Sequence, residues 1–519
     1  MMAVFIAGLS TLAIEMAASR LLGSVYGASN LIWANVIGLI LLYLAVGYFL
    51  GGRWADRSPY PRTFYRILMW AAFLCALVPL VARPVLRAAA TAVAGSEAGL
   101  AIGSFVSVIV LFAVPITLLG VASPFAIRLA VPSVENSGRI VGRIYAISTL
   151  GSLVGTFLPV LLTIPLLGTT ATFLLFAGLL YTIALIGLVQ AVGTRALVYV
   201  WMPLVVIGLN ALVAAGPLRA APAGLTLLYE GESAYNYIQV LEDGNGNHYL
   251  SLNEGQGVHS QYHPDVFGYG RTWDFFLTAP YFNAAPVDPT SVTRIAIIGL
   301  AGGTIARQYA HVNPNVTVDG IEIDPQIIQV GFDYFGIDPT SLPQLNAIAG
   351  DGRYALKLLD GDYDVIGIDA YRPPYIPWHL TTVEYFEEIR SKLTPDGTVV
   401  INVGRTPDDR RLVDALTATM LEVFPSVHAM DVPYSFNTIL VATVQPTVNG
   451  NLAANLAALS ADAPALLSDT LALGMSALVA TGSGGEIFTD DRAPVETLVD
   501  SLVLNFLLGG GAEQLQSSP

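Results

Sequence analysis

Hydrophobic positions follow two different patterns along this chain. Over the first 217 residues they form seven long apolar runs, at roughly 3–25, 31–52, 65–86, 99–122, 145–167, 169–192 and 197–217. Each approaches the ~20 residues that cross bilayer hydrocarbon as a helix. The pattern predicts a multi-span α-helical membrane domain over 1–218, with about seven spans. The first run is expected to remain in the chain rather than to be cleaved as a leader. It has no basic start, carries Glu15 and Arg20, and is followed by further runs. The fifth run is rich in Gly, Ser and Thr, and its GSLVG places Gly151 and Gly155 at the spacing that lets two helices approach closely.

Beyond the linker AGPLRAAPAG (215–224) the runs become short. NYIQVLED and HYLSLNEG flank DGNGN (243–247), a turn-rich segment between alternating runs, which predicts a β-hairpin. A small β subdomain and linker are assigned to 219–285. From 286 to 445, short apolar runs alternate with amphipathic stretches. RIAIIGL, VTVDGIEID, LNAIAGD, YDVIGID and GTVVINV read as strands, with helix-like segments such as TIARQYAHV and VEYFEEIRSKL between them. That alternation predicts a Rossmann-like parallel α/β sheet. The Ala/Leu-rich tail, 446–519, is expected to be helical and carries FTDDRAPVE at 488–496.

Charge divides at the same place. Residues 1–219 hold 12 Arg, no Lys and 4 acids, whereas 220–519 hold 12 basic and 35 acidic residues and all six His. A second half of net charge −23 suits cationic ligands and excludes nucleic acid as a partner. The lipid bilayer is the partner expected of the first half. Cys75 is the only cysteine, so no disulfide framework and no cysteine metal site exist. His259 and His263 lie four apart with no evident third ligand, and no metal is assigned. Arg53, Arg57, Arg62 and Arg66, and then Arg128, Arg139 and Arg143, mark two loops as cytoplasmic. This orientation also puts the N-terminus in the cytoplasm, and seven crossings would then leave 220–519 outside the cell. The nucleotide chemistry below argues for a cytoplasmic catalytic domain on a multi-pass cell-membrane protein, so span count and charge bias disagree.

Candidate chemistry sits at the strand ends, where ligands of open α/β sheets bind. The first strand runs into GLAGGT, in which Gly299, Ala301, Gly302 and Gly303 let a ligand approach the backbone and the next helix. Glu322 ends the second strand 23 residues after Gly299. An acid ~20 residues on can accept hydrogen bonds from a ribose diol. No basic residue is placed for a pyrophosphate and there is no GK[ST], which favours S-adenosylmethionine or a relative over NAD or ATP. Asp351, with Gly352 beside it, ends the third strand and is also placed to cap the helix YALKLLD. Asp369 ends the fourth, and the prolines of DAYRPP leave it no helix to cap.

The order GLAGGT, IEID, GDGRYAL, YDVIGIDAY resembles the spermidine synthase (polyamine aminopropyltransferase) family. GESAYNYIQV, LSLNEGQ, HLTTVEYF and LTPDGTVVINV extend the likeness over about 225–445, and the multi-span region with TDDRAPVE resembles its membrane-fused branch. The resemblance implies a small β subdomain on a class I methyltransferase-like Rossmann domain. It implies that Glu322 holds the ribose, Asp351 reaches the adenine and Asp369 deprotonates the attacking amine. Gln256 matches a family donor contact with a one-residue gap. The implied reaction is transfer of an aminopropyl group from decarboxylated S-adenosylmethionine to an amine, releasing methylthioadenosine, without a metal. A homodimer is implied by resemblance alone.

Two departures keep other readings open. The family's D-S-S-D-P is here Asp369-Ala370-Tyr371-Arg372-Pro373, which puts an arginine where an acid holds the amine. The family's G-G-G-D-G Asp is replaced by Gly302, and Thr272-Trp273-Asp274 stands near the family's Tyr-Gln and acid. Tyr235, Glu254, Tyr371 and Arg372, with His259 and His379, are candidates to line a rebuilt acceptor pocket. The alternative is an enzyme acting on S-adenosylmethionine itself, by cleavage to methylthioadenosine or by aminocarboxypropyl or methyl transfer. A third reading is a transporter or sensor that binds a nucleoside or polyamine without turnover.

Overall fold

The computed structural model describes residues 1–26, 30–92, 97–131, 137–213, 221–253, 257–371, 376–482 and 484–508, in two compact units. The first unit is helical: α1 (Met2–Tyr26), α2 (Asn30–Arg57), α3 (Pro61–Ala92), α4 (Glu97–Gly120), α5 (Ala122–Ala130), α6 (Ser137–Leu158), α7 (Ile164–Val192) and α8 (Trp201–Val213). Five stretches are long and apolar enough to cross a membrane by length and composition: Met2–Gly23, Trp33–Arg57, Pro61–Ala82, Gly103–Ala130 and Ser137–Ala211. The last takes in three of the seven runs, because a π turn at Pro159–Thr163 carries α6 into α7. Helical geometry breaks inside that stretch at Gly168 (φ 80°, ψ 170°).

Inside this unit α1 packs against α6 and α7, with Ala13, Ile14, Ala17 and Ala18 wholly buried. The α1–α6 approach depends on glycine. A Cβ on Gly151 or Gly155 would overlap the carbonyl oxygens of Phe5 and Leu9. Glu15 is buried in α1, while Phe49, Leu161 and Leu166 are among the apolar side chains left more than 70% exposed.

The second unit begins with a four-stranded antiparallel sheet of β1 (Thr226–Glu232), β2 (Tyr237–Glu242), β3 (His248–Leu252) and β4 (Val258–Tyr262), in that order. The hairpin predicted at 243–247 joins β2 to β3. Asp243 Oδ1 accepts from the backbone N–H groups of Asn245 and Asn247, both at 2.9 Å, which closes the turn. The α/β part follows: α9 (Thr272–Phe276), β5 (Arg294–Ile298), α10 (Thr304–Val312), β6 (Thr317–Glu322), α11 (Pro325–Tyr334), β7 (Leu345–Ala349), α12 (Gly352–Leu358), β8 (Tyr363–Ile368), α13 (Val383–Arg390), β9 (Leu393–Gly404), α14 (Arg411–Leu421), β10 (Ser426–Asp431) and β11 (Asn437–Thr443). The tail adds α15 (Gly450–Ala458), α16 (Ala465–Ala477), β12 (Leu478–Val479) and α17 (Val495–Leu508).

The large sheet has the order β12-β10-β11-β9-β8-β5-β6-β7. The five strands from β9 to β7 are parallel, as expected from the alternation, while β11, β10 and β12 add antiparallel pairings on one side. Both faces of the central strands are covered. Ala296 and Ile298 enter the core shared with α13, α14 and α17, while Ile295 and Ile297 enter the core shared with α9, α10 and α16. Burial on both faces is why these strands read as near-continuous apolar runs. From β5 the chain winds outward through β6 and β7, then returns to place β8 on the other side of β5. That reversal makes a topological switch point at the carboxyl ends of β5 and β8, the place where open α/β sheets bind their ligands.

Candidate active site

The loop leaving β5 is held open by backbone geometry. Gly299 has φ +88°, and a Cβ there would stand 2.5 Å from the carbonyl oxygen of Asp369. The left-handed conformation and this close approach both require glycine. The N–H groups of Gly299 and Leu300 donate to Ile321 O at 2.9 and 3.0 Å, tying the loop to β6. Ala301 (φ 48°) donates its N–H to Glu322 Oε2 at 2.9 Å. Gly303 precedes α10 in the left-handed region. Gly302 points elsewhere. Its N–H donates to Ser260 Oγ at 2.8 Å, and a Cβ there would lie 2.8 Å from Ser260 Cβ and 2.9 Å from the Phe335 ring. Thr304 Oγ1 donates to Gln261 O at 2.9 Å and accepts from Gln261 N–H at 3.1 Å, so β4 is stitched to this loop.

Glu322, at the end of β6, is buried. Its Oε1 also accepts from Asp324 N–H at 3.2 Å. Burial pushes its carboxyl up to about 7, against the opposing effect of those backbone donors. Asp351 caps α12, accepting Tyr354 N–H on Oδ1 at 2.9 Å, and its Oδ2 lies 3.2 Å from His379 Nε2. Gly352 packs against Ile298 at the start of α12.

Asp369 follows β8. Its N–H donates to Ile298 O at 2.8 Å, which fixes it beside Gly299 at the switch point. Burial raises its carboxyl to about 6, with Asn402 opposing the shift. Asn402 Nδ2 donates to Asp369 Oδ1 at 2.9 Å. Asn402 Oδ1 in turn accepts from Asn437 Nδ2 at 2.8 Å, and Ser435 Oγ donates to Asn437 Oδ1 at 2.6 Å. This chain of hydrogen bonds occupies one Asp369 oxygen. Among the described residues, none donates a hydrogen bond to the other.

Of the residues predicted from sequence, Gly299, Ala301, Glu322 and Asp369 meet around the ends of β5, β6 and β8, with Asp351 and Gly352 following the neighbouring β7. Tyr371 turns its hydroxyl to the Gly404 backbone N–H, and burial raises its pKa. Tyr235 falls in the first unit, 43% exposed, with its N–H donating to Ser233 Oγ at 3.0 Å. Gln256, Glu254 and Arg372 lie outside the described residues. Asp274 is buried and accepts from Tyr269 N–H, Gly270 N–H and Gln308 Nε2 at 2.8, 2.7 and 2.6 Å, a structural knot. On β4, burial pushes His259 down to about 4, so it is neutral at pH 7. Sequence reasoning missed Asn402 and Ser260. The signal for Asn402 was a lone amide inside GTVVINV, a polar group that a buried strand must pair.

A parallel sheet with a switch point, a glycine loop after its first strand and acids at the next strand ends defines a Rossmann-like domain of the methyltransferase type. More narrowly, residues 284–448 match the family described as the spermine/spermidine synthase domain. A "Probable polyamine aminopropyl transferase" of Bifidobacterium longum (strain NCC 2705) is 34% identical over 219 residues, 42% of this chain and 47% of that protein. The chain thus spans about half the length of that relative. A "Polyamine aminopropyltransferase" of Vibrio vulnificus (strain CMCP6) is 29% identical over 235 residues, 43% of this chain and 74% of that one. The crystal structure of a probable spermidine synthase from Corynebacterium glutamicum ATCC 13032 is similar at 23% identity and a TM-score of 0.41, over 52% of this chain and 97% of that one.

Proposed function

We propose that this protein is a membrane-anchored aminopropyltransferase that uses decarboxylated S-adenosylmethionine and a small amine, with its catalytic unit on the cytoplasmic face. The observation that carries the reading is Asp369. It is a half-buried carboxylate at the switch point, beside the glycine loop, with one oxygen held by Asn402 and a carboxyl near 6. The named activities of the relatives and the exposed apolar side chains of the first unit support it.

The chemistry needs little else. Glu322 accepts the ribose hydroxyls and Asp351 lies on the adenine side. An amine of pKa ~10 is protonated at neutral pH and cannot attack. Asp369 holds the ammonium as its counter-ion and then takes one of its protons. The freed nitrogen forms a bond to the aminopropyl carbon next to the sulfonium. The carbon–sulfur bond breaks, its electron pair returns to sulfur, and neutral methylthioadenosine leaves.

A second reading, use of intact S-adenosylmethionine, is favoured by Gly302. The family's acid at that position would repel the donor's carboxylate, and glycine there removes that charge. Purified protein incubated with each donor, with and without putrescine, separates the two by mass spectrometry of the nucleoside. Methylthioadenosine from the decarboxylated donor only, and only with amine, supports aminopropyl transfer. Methylthioadenosine or S-adenosylhomocysteine from the intact donor contradicts it.

A further inference from the structure

The tail motif FTDDRAPVE has no part in the chemistry above, yet its Asp490 meets Arg353 on the helix that Asp351 caps. Arg353 is two residues beyond Asp351, on the first turn of α12, and its side chain is only 12% exposed. A guanidinium has five N–H donors, and here all five are used. Nε donates to Glu388 Oε2 at 2.9 Å, and Nη2 donates to Glu388 Oε1 and Asp490 Oδ2, both at 2.8 Å. Nη1 donates to Asp490 Oδ1 at 2.7 Å and to the His379 carbonyl at 3.1 Å. The Asp490 contact is therefore a two-point fork, which fixes the guanidinium plane.

Asp490 is itself fixed. Thr382 Oγ1 donates to its Oδ1 at 2.7 Å, and its N–H donates to Glu384 Oε2 at 2.9 Å. Phe488, two residues earlier, is fully buried in the sheet's core and accepts Val383 N–H at 2.9 Å. The route from the tail to the donor site is continuous. Asp490 sets Arg353, Arg353 holds the His379 carbonyl, and the His379 imidazole reaches Asp351 Oδ2 at 3.2 Å.

We propose that Asp490 is a positioning residue for the nucleoside donor, acting through Arg353 and His379 to hold Asp351 in its binding orientation. The proposal rests on Asp351 contacting the donor, but not on which group is transferred. The Asp351 side chain is 43% exposed and touches the rest of the protein through its cap bond and His379. Without the clamp the His379 segment would be released and Asp351 would keep only the cap bond.

The test reads binding, with methylthioadenosine titrated calorimetrically into the full-length protein in detergent. The Asp490 side chain is 40% exposed, so solvent screens its fork on Arg353 and losing that charge corresponds to roughly a three- to tenfold change; Asp490→Asn should raise Kd by about that factor with its thermal transition retained. His379→Ala should weaken binding similarly. Asp490→Asn added to His379→Ala should cost nothing more, because the route runs through His379. A purely structural Asp490 would instead lower the transition temperature and leave Kd unchanged, whereas a loss of affinity in Asp490→Asn that adds in full to that of His379→Ala would mean that Asp490 acts by a route other than His379. Either result overturns the proposal. Should Asp490→Asn fail to fold, Arg353→Lys decides. It keeps the charge but cannot supply the fork and the His379 contact together, so it should weaken binding to the same degree; unchanged affinity overturns the clamp. A wild type that does not bind methylthioadenosine overturns both the clamp and the functional reading, whereas binding without aminopropyl transfer overturns only the latter.

Discussion

Glu322 should make donor-site affinity depend on pH in a calculable way. Its carboxyl is pushed to about 7 by burial, and only the ionised form can accept both ribose hydroxyls. Binding must therefore displace a proton wherever the free site holds one. With a pKa of about 7, roughly nine-tenths of free sites are protonated at pH 6 and about one-tenth at pH 8. Protonation competes with the nucleoside, so apparent affinity falls as pH falls. The loss between pH 8 and pH 6 is about tenfold. Methylthioadenosine titrated calorimetrically, in buffers of differing ionisation enthalpy, should release close to one proton per site at pH 6 and about a tenth of one at pH 8. Glu322→Gln should bind roughly 10–100-fold more weakly at pH 8, through loss of charged hydrogen bonds, and should lose the pH slope. The variant keeps Asp369, so any slope due to that residue would persist in it. A wild-type Kd that is flat from pH 6 to 8, or a slope that survives in Glu322→Gln, would refute the assignment.

Asp369→Asn should reduce kcat by about 10²–10⁴-fold while methylthioadenosine affinity, read by calorimetry, stays within about threefold of wild type. In the wild type, kcat/KM should rise with pH through about 6, because the base works only when ionised and is lost to protonation below that value. Asn402→Ala removes the donor that holds Asp369 down, so the acidic limb of the same pH profile should move upward. Gly302→Asp, which restores the family's acid, should destabilise by about 1–3 kcal/mol through overpacking against Ser260 and Phe335, measured by denaturation, and should not improve amine turnover.

The parts of the site that are legible in the sequence are those set by local pattern. Short apolar runs ending on a small residue or an acid locate β5, β6 and β8, and they place Gly299, Glu322 and Asp369 at the strand ends. The parts that are not legible depend on pairing between distant segments. Asn402 and Asn437 lie 35 residues apart and meet because β9 and β11 run antiparallel, with Asn437 opposite Gly404. A strand's own periodicity does not state the direction of its neighbour, so the antiparallel side of the sheet leaves no mark in the pattern. Tyr371 is adjacent in sequence to a rebuilt acceptor motif, but its hydroxyl is spent on the Gly404 backbone. Gly302 reads as part of the ligand cradle, yet its neighbours are Ser260 of β4 and Phe335 after α11, a contact that only the docked small sheet creates. Among the helices, small-residue spacing at Gly151 and Gly155 is legible because close packing leaves no other residue type.

The central claim is that this site moves an aminopropyl group from sulfur to nitrogen with Asp369 as base. The most direct measurement uses decarboxylated S-adenosylmethionine labelled in its aminopropyl carbons, with putrescine, on wild type and Asp369→Asn. The expected result is label in a lengthened polyamine, equimolar with methylthioadenosine from the wild type, and both products lost together in the variant. Methylthioadenosine formed without labelled polyamine, or equal transfer by Asp369→Asn, would contradict it.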